Sequence, residues 1–170
     1  MTDKCASFVI RQARLEDAPV VAWHRARMFQ DMGELSPAVF DDFRKEARVW
    51  IERALANGEY IGWLGFPKDK PDTIGGGAGV QLRQVSPHPS RLPNDGGFAK
   101  GRHAIVLNVF TEPEWRRRGL ARLLMEEILR WAGTERLDRL VLHASDEARA
   151  LYEQMGFVPT NEMRYEGRFQ

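Results

Sequence analysis

Three arginines followed by a glycine, in the run Arg116-Arg117-Arg118-Gly119-Leu120-Ala121, stand where an apolar strand gives way to a helix. Before them, Ala104-Ile105-Val106-Leu107-Asn108-Val109-Phe110 is apolar and β-branched, the pattern of a buried strand. After them, Leu120, Leu123, Leu124, Ile128 and Trp131 recur at helical spacing, with Arg122, Glu126, Glu127 and Arg130 on the other side. Thr111-Glu112-Pro113-Glu114-Trp115 makes the turn between them. The first N–H groups of a helix lack intrahelical partners, and the macrodipole makes that end positive. Gly119 and Ala121 lack bulk, so a ligand can approach the backbone closely. Arg116, Arg117, Arg118 and Arg122 add formal charge. Such a turn suits a pyrophosphate.

A second block follows. Leu140-Val141-Leu142-His143-Ala144-Ser145 reads as a strand, and Ala148, Leu151, Tyr152 and Met155 then repeat at i, i+3, i+4 and i+7. Gly156 stands where a helix commonly stops. The two blocks together resemble the GCN5-related N-acetyltransferases. Arg116, Gly119 and Ala121 match that family's Arg/Gln-x-x-Gly-x-Gly/Ala signature, placed after a strand and opening a helix. Ala148, Leu151, Tyr152, Gly156 and Phe157 match its Ala-x-x-Leu-Tyr-x-x-x-Gly-Phe block. The resemblance covers roughly the C-terminal third of the chain.

What the resemblance implies is acetyl transfer from acetyl-CoA, the acyl donor, to an amine acceptor. The turn from Arg116 through Arg117, Arg118, Gly119, Leu120, Ala121 and Arg122 would hold the pyrophosphate. By position, the backbone N–H groups of Val109, Phe110 and Thr111 inherit the contacts to the acetyl carbonyl and pantetheine. Tyr152 matches the tyrosine that protonates the leaving thiolate; its competing reading is plain core packing. The general base is less determined. Many relatives place a glutamate on the strand before the turn, where this chain has Asn108, which can orient a water but cannot take its proton. His143 is the alternative, since a histidine ordinarily titrates near neutral pH, or it is a hydrogen-bonded core residue. Ser145 stands where the family usually has an asparagine that contacts the pantetheine arm. It either keeps that contact or caps the following helix. Acceptor candidates are Arg27, Phe29 and Asp31 near the end of the first helix, and Asn161, Glu162 and Arg164 in the tail. The missing glutamate keeps a second reading open, a catalytically silent CoA-binding module that senses acyl-CoA or regulates a partner.

Length and composition set bounds around this. The chain has 170 residues, the size of one domain with a real core, so residues 1–170 are expected to form a single acetyltransferase domain. A formal charge of +1 gives no global field toward nucleic acid or membrane, and no aromatic stacking platform accompanies the arginines. The single cysteine, Cys5, cannot form an internal disulfide. No apolar run approaches the roughly 18 residues of a membrane span, and Met1-Thr2-Asp3-Lys4-Cys5 lacks a signal-peptide core. A soluble cytoplasmic protein is expected, with a homodimer left open.

The elements that must position these residues follow from pattern. Phe8 to Ala13 reads as a first strand. Asp17 is placed to cap a helix with Pro19 in its first turn, ending near Gly33. Ser36-Pro37 opens a second helix, whose apolar face runs through Phe40, Phe43, Ala47, Trp50, Ile51 and Ala54 to Asn57-Gly58. Tyr60 to Leu64 and Val80 to Arg83 read as strands. The run Gly75-Gly76-Gly77-Ala78-Gly79 fails as a dinucleotide fingerprint, because no helix follows, and is expected to permit a bulge or a close backbone contact. Ser86 to Gly101 reads as a long proline- and glycine-rich loop. The expected fold is mixed α/β of the acetyltransferase type, with a mostly antiparallel central sheet flanked by helices. The strand before Arg116 and the strand ending at Ser145 should form a splayed parallel pair, because a helical crossover joins them.

Overall fold

The structure, a computed structural model, describes residues 7–90 and 97–167. Cys5 and the Arg91 to Gly96 part of the expected loop lie outside the described residues. Strand β1 (Phe8–Gln12) leads into α1 (Ala18–Asp31) and α2 (Phe40–Ala56), followed by β2 (Tyr60–Pro67) and β3 (Gly76–Gln84). A short pair, β4 (His88–Pro89) and β5 (Phe98–Ala99), occupies part of the expected loop. Then come β6 (Arg102–Thr111), α3 (Leu120–Thr134), β7 (Arg139–Val141) and α4 (Asp146–Gln154).

The sheet runs β1-β2-β3-β6-β7, antiparallel throughout except for the parallel β6–β7 pair. Period-two alternation sends neighbouring side chains to opposite layers. Trp63, Ala78, Val80, Ala104 and Val106 pack with Leu120, Leu124, Met125 and Ile128 of α3 and with Tyr152 of α4. Leu64 and Tyr60 instead pack with Val21 and Ala22 of α1 and with Ala47, Ile51 and Ala54 of α2. Each layer is apolar at helical spacing, so burial of those stripes holds the helices to the sheet.

Two irregularities open the sheet where chemistry was expected. β7 pairs with β6 only at His103, Ala104 and Ile105, so β6 runs on from Val106 to Thr111 without a strand on that side. The expected strand from Leu140 to Ser145 is therefore shorter, because the ladder stops at Val141. The second irregularity is a bulge. Asn108 and Val109 of β6 oppose the single residue Ala78 of β3, with Gly77 paired to Phe110 and Gly79 to Leu107. The glycine run was expected to permit a bulge or a close backbone contact, and the register shift falls between Gly77 and Gly79, with the extra residue on β6. The glycines also make the close contacts. A Cβ on Gly79 would stand 2.1 Å from the Tyr60 hydroxyl, and one on Gly76 would stand 2.4 Å from the Phe110 carbonyl.

Neither expected cap works through its side chain. Asp17 precedes α1, but its carboxylate accepts two bonds from the Arg11 guanidinium at 2.7 and 2.9 Å and one from the Arg14 N–H at 2.7 Å. Those bonds tie β1 to the helix start and hold the Asp17 carboxyl below its usual range. Ser36 precedes a single 3-10 turn, Pro37–Val39, that runs into α2.

The Gly79 contact gives a stability prediction. Gly79→Ala drives a methyl into the fully buried Tyr60 ring and should cost about 1–3 kcal/mol, a Tm loss of about 2–4 °C per kcal/mol in a chain this long. Gly133→Ala, in a helical position with open space around it, should melt at or slightly above the parent temperature. Calorimetry on both variants checks this. Equal melting of Gly79→Ala and the parent would contradict the packing of Tyr60 against β3.

Candidate active site

The turn after β6 is built by backbone conformations that few residues adopt. Arg117 has φ +59° and Gly119 φ +87°, both left-handed, and Gly119 is the residue from which α3 starts. The first helical bond runs from the Leu123 N–H to the Gly119 carbonyl at 3.1 Å, so the N–H groups of Leu120, Ala121 and Arg122 have no helical partner. A Cβ on Gly119 would meet nothing within 4 Å. The glycine is therefore demanded by its φ rather than by a protein neighbour.

The four arginines do not act alike. The Arg116 Nε donates to the Thr111 carbonyl at 2.9 Å, and its Nη2 pairs with Asp31, fastening the turn to the end of α1. The Arg122 Nη2 donates to the Gln154 side chain at 2.7 Å and joins α3 to α4. Arg118 lies over the buried Trp115 ring, 4.9 Å from its centre. Among the described residues Arg117 is exposed and has no ion pair or side-chain hydrogen bond.

Asn108 sits in the bulge with φ +60° and is 3 % exposed. Its Oδ1 accepts a bond from the Arg25 guanidinium of α1 at 2.7 Å. Its Nδ2 donates to the Tyr60 hydroxyl of β2 at 3.1 Å. Both ends of the amide are thus engaged, and the side chain holds the bulge instead of presenting itself to a reacting group. Burial pushes the Tyr60 hydroxyl up to about 12 and lowers the Arg25 pKa. A left-handed residue other than glycine costs about 1–2 kcal/mol, less for asparagine, whereas a hydrogen bond to a charged group contributes about 1.5–3 kcal/mol. The network outweighs the strain.

One turn of α1 places His24 beneath the same strand end. It is 2 % exposed, its ring lies 5.1 Å from that of Phe110, and its Nε2 is 3.7 Å from the Glu112 carboxylate. Burial pulls its pKa down to about 4. Neither His24 nor Arg25 was singled out from sequence. The available signal was polar residues at i+3 and i+4 from Val21, on the stripe that faces the sheet.

The remaining expected site residues separate into two groups. Tyr152 is 7 % exposed, its ring stands edge-on to Phe157 at 5.9 Å, and burial raises its hydroxyl pKa. It lines a cavity of about 990 Å³ with Leu140, Leu142 and Phe157. Ser145 precedes α4 and accepts the Ala148 and Arg149 N–H groups through its carbonyl, with no side-chain cap. His143 is exposed, meets the Glu162 carboxylate at 3.3 Å, and borders both that cavity and a second of about 400 Å³. Arg25, Trp50, Gln81, Arg83, Ile105 and Leu107 line the second. Arg27, Phe29 and Asp31 do not line it. Arg27 lies 3.7 Å from Asp31, Asp31 pairs with Arg116, and Phe29 packs edge-on against Phe43. The structure ties these three to helix packing and the turn, while Arg25, two residues before Arg27, reaches the cavity. Among the described residues no cluster of three metal-ligating side chains forms, and no helix is long and apolar enough to cross a membrane.

Comparison with known proteins agrees with this fold. The profile of the Acetyltransferase (GNAT) family matches residues 10–157. A GCN5-related N-acetyltransferase from Ralstonia eutropha JMP134 superposes with a TM-score of 0.79 at 27 % identity, over 93 % of this chain and 97 % of that one. A protein from Clostridium acetobutylicum, described as a predicted acetyltransferase and solved with acetyl-CoA, gives 0.76 at 23 % identity over 94 % and 96 %. That second likeness, below 25 % identity, speaks for the fold. No curated protein matches the chain.

His24 makes stability depend on pH in a defined direction. The unfolded histidine takes up a proton near 6.5 and the folded one only near 4. Between those values the unfolded chain binds more protons, so stability falls as pH is lowered and levels off below about 4. At pH 5 the loss from this group is about 2 kcal/mol. Urea midpoints at pH 7 and pH 5 should differ less in His24→Gln than in the parent. An identical pH slope in both would contradict a buried, neutral His24.

Proposed function

The chain belongs to the GNAT acetyltransferase family, and we propose that it carries the acetyl group of acetyl-CoA to a primary amine. The observation that carries this reading is the turn, left-handed at Arg117 and Gly119, from which α3 starts with the N–H groups of Leu120, Ala121 and Arg122 lacking helical partners and with open space where a Cβ on Gly119 would stand. That is a cradle for a pyrophosphate at a helix start, and a side chain at position 119 would fill it. Arg117, unpaired, is the arginine free to reach a phosphate; Arg118 and Arg122 lend charge from beside it. The pantetheine arm then enters the gap where β6 outruns β7, past Ser145 at the start of α4. Backbone N–H groups of Val109, Phe110 and Thr111, re-aimed by the bulge, take the acetyl carbonyl and stabilise the charge that develops on it.

Acetyl-CoA supplies the activated acyl group and the leaving thiolate. The chain's own groups manage the protons. Tyr152, kept protonated by its burial, gives its proton to the departing sulfur. His143, at the border of the two cavities with Glu162 beside it, takes the proton that the acceptor ammonium loses before it attacks. Asn108 has a positioning role through the bulge. Its engaged amide is also the observation that favours the second reading, a CoA-binding module without turnover, since the strand offers no carboxylate base.

Tyr152→Phe separates these. Phenylalanine fills nearly the same volume, so the melt should change little. Free-thiol release from acetyl-CoA with an accepted amine should fall in kcat by about 10²–10³-fold, with KM for acetyl-CoA changing less. Normal kcat with a lowered melting temperature would make Tyr152 a core residue only. Acetyl-CoA binding by calorimetry, without thiol release on any amine, would establish the silent module.

A further inference from the structure

The cavity of about 400 Å³ on the α1 and α2 side of the sheet has a distinctive charge. Alternation along β3 points Gln81 and Arg83 to one side, and their neighbours on β6 are Ile105 and His103. α1 brings Arg25 to the same space and α2 brings Trp50. Several arginines elsewhere meet carboxylates, Arg11 with Asp17, Arg48 with Glu52, Arg102 with Glu135 and Arg116 with Asp31, while others, such as Arg117 and Arg118 of the turn, do not. Arg25 and Arg83 have no such partner among the described residues, and no carboxylate lines the cavity. Glu162 is not part of its lining and is engaged with His143.

We infer that the acceptor amine also carries an anionic group, a carboxylate or a phosphate, received by Arg25 and Arg83 against the apolar wall of Trp50, Ile105 and Leu107. The inference rests on the transfer reading above and names the acceptor class for it. The Arg25 guanidinium uses one of its five donors on Asn108 and lies over the Phe29 ring at 5.0 Å, which fixes its plane. A half-buried cation without a counter-charge is costly, and an anion arriving with the substrate offsets that cost. The cavity also adjoins the bulge. Leu107 precedes Asn108 in the chain, and Arg25 both lines the cavity and holds Asn108. An anion on the arginines therefore leaves the rest of the acceptor beside the strand segment assigned to the acetyl group. The volume suits an amino-acid-sized molecule. A second ammonium would face two guanidiniums, so diamines and polyamines are disfavoured.

Paired acceptors test this. Phenylalanine against phenylalaninamide removes a carboxylate, and phosphoethanolamine against ethanolamine removes a phosphate, so the two pairs distinguish the two anions. The amide's amine is the less basic, so without anion recognition it would be the better acceptor. The expected result is a kcat/KM preference of about tenfold or more for the anionic member of one pair. Arg83→Gln, at an exposed position that leaves folding intact, should erase the preference by raising KM for that member alone. Equal or better use of neutral amines or putrescine, or an unchanged preference in Arg83→Gln, would overturn the inference and leave acetyl transfer standing. Absence of transfer to every amine would instead remove the transfer reading. The inference is then decided by saturation-transfer NMR on CoA-loaded protein of two pairs, N-acetylphenylalanine against its amide and N-acetylphosphoethanolamine against N-acetylethanolamine. Anion-selective binding in one pair that Arg83→Gln abolishes supports it, and binding without that selectivity in either pair, or none, overturns it.

Discussion

A single buried amide connects the parts on which this site depends. Asn108, left-handed in the middle of an otherwise apolar strand, is held from one side by the Arg25 guanidinium and from the other by the Tyr60 hydroxyl. Without those two bonds, an extra residue in β6 would have little reason to stay at this register, because a slip by one would swap the buried and exposed sets beyond it. With them, the strand bends at one place, α1 is fixed to the sheet, and β2 is coupled across β3. Gly79 completes the arrangement by making room for the Tyr60 hydroxyl, which a side chain at that position would displace.

The same constraint explains why local charge matters more than net charge here. The chain carries +1 overall, yet its arginines are divided between tying elements together and facing open space. Arg116 and Arg122 join the turn to α1 and α4, so the backbone donors at the start of α3 are presented by a braced loop. Exposed pairs such as Arg44 with Asp41 or Lys45 with Asp42 contribute about 0–1 kcal/mol and position nothing in the site. His24 stays neutral beneath Phe110 because it is buried, which keeps an additional cation away from the strand end.

Periodicity made the helices, the crossover and the parallel pair legible, since the apolar stripes of α2, α3 and α4 are long enough to declare their period. The turn was legible for a local reason as well: a glycine at position 119 meets a φ that other residues resist. The bulge was legible only from the glycine side. Asn108 lies in a run of strand-forming residues, and a single inserted residue does not disturb that composition, so its place on β6 stayed hidden. The division of labour among the arginines was equally hidden, because Arg116 finds Asp31 and Arg122 finds Gln154 only after the chain folds. The same holds for Arg25, which lines a cavity that Arg27 and Asp31 of the same helix do not.

The central claim is that the Asn108 network aims the β6 backbone at the acyl donor, and amide chemical shifts test it most directly. Acetyl-CoA titrated into ¹⁵N-labelled protein should move two groups of resonances, those of Val109, Phe110 and Thr111 and those of Leu120, Ala121 and Arg122. In Asn108→Ala the second group should still respond, because the turn does not depend on the bulge, while the response of the first should largely vanish. Identical shift patterns in the two proteins, or shifts confined to the cavity beside α4, would contradict the account.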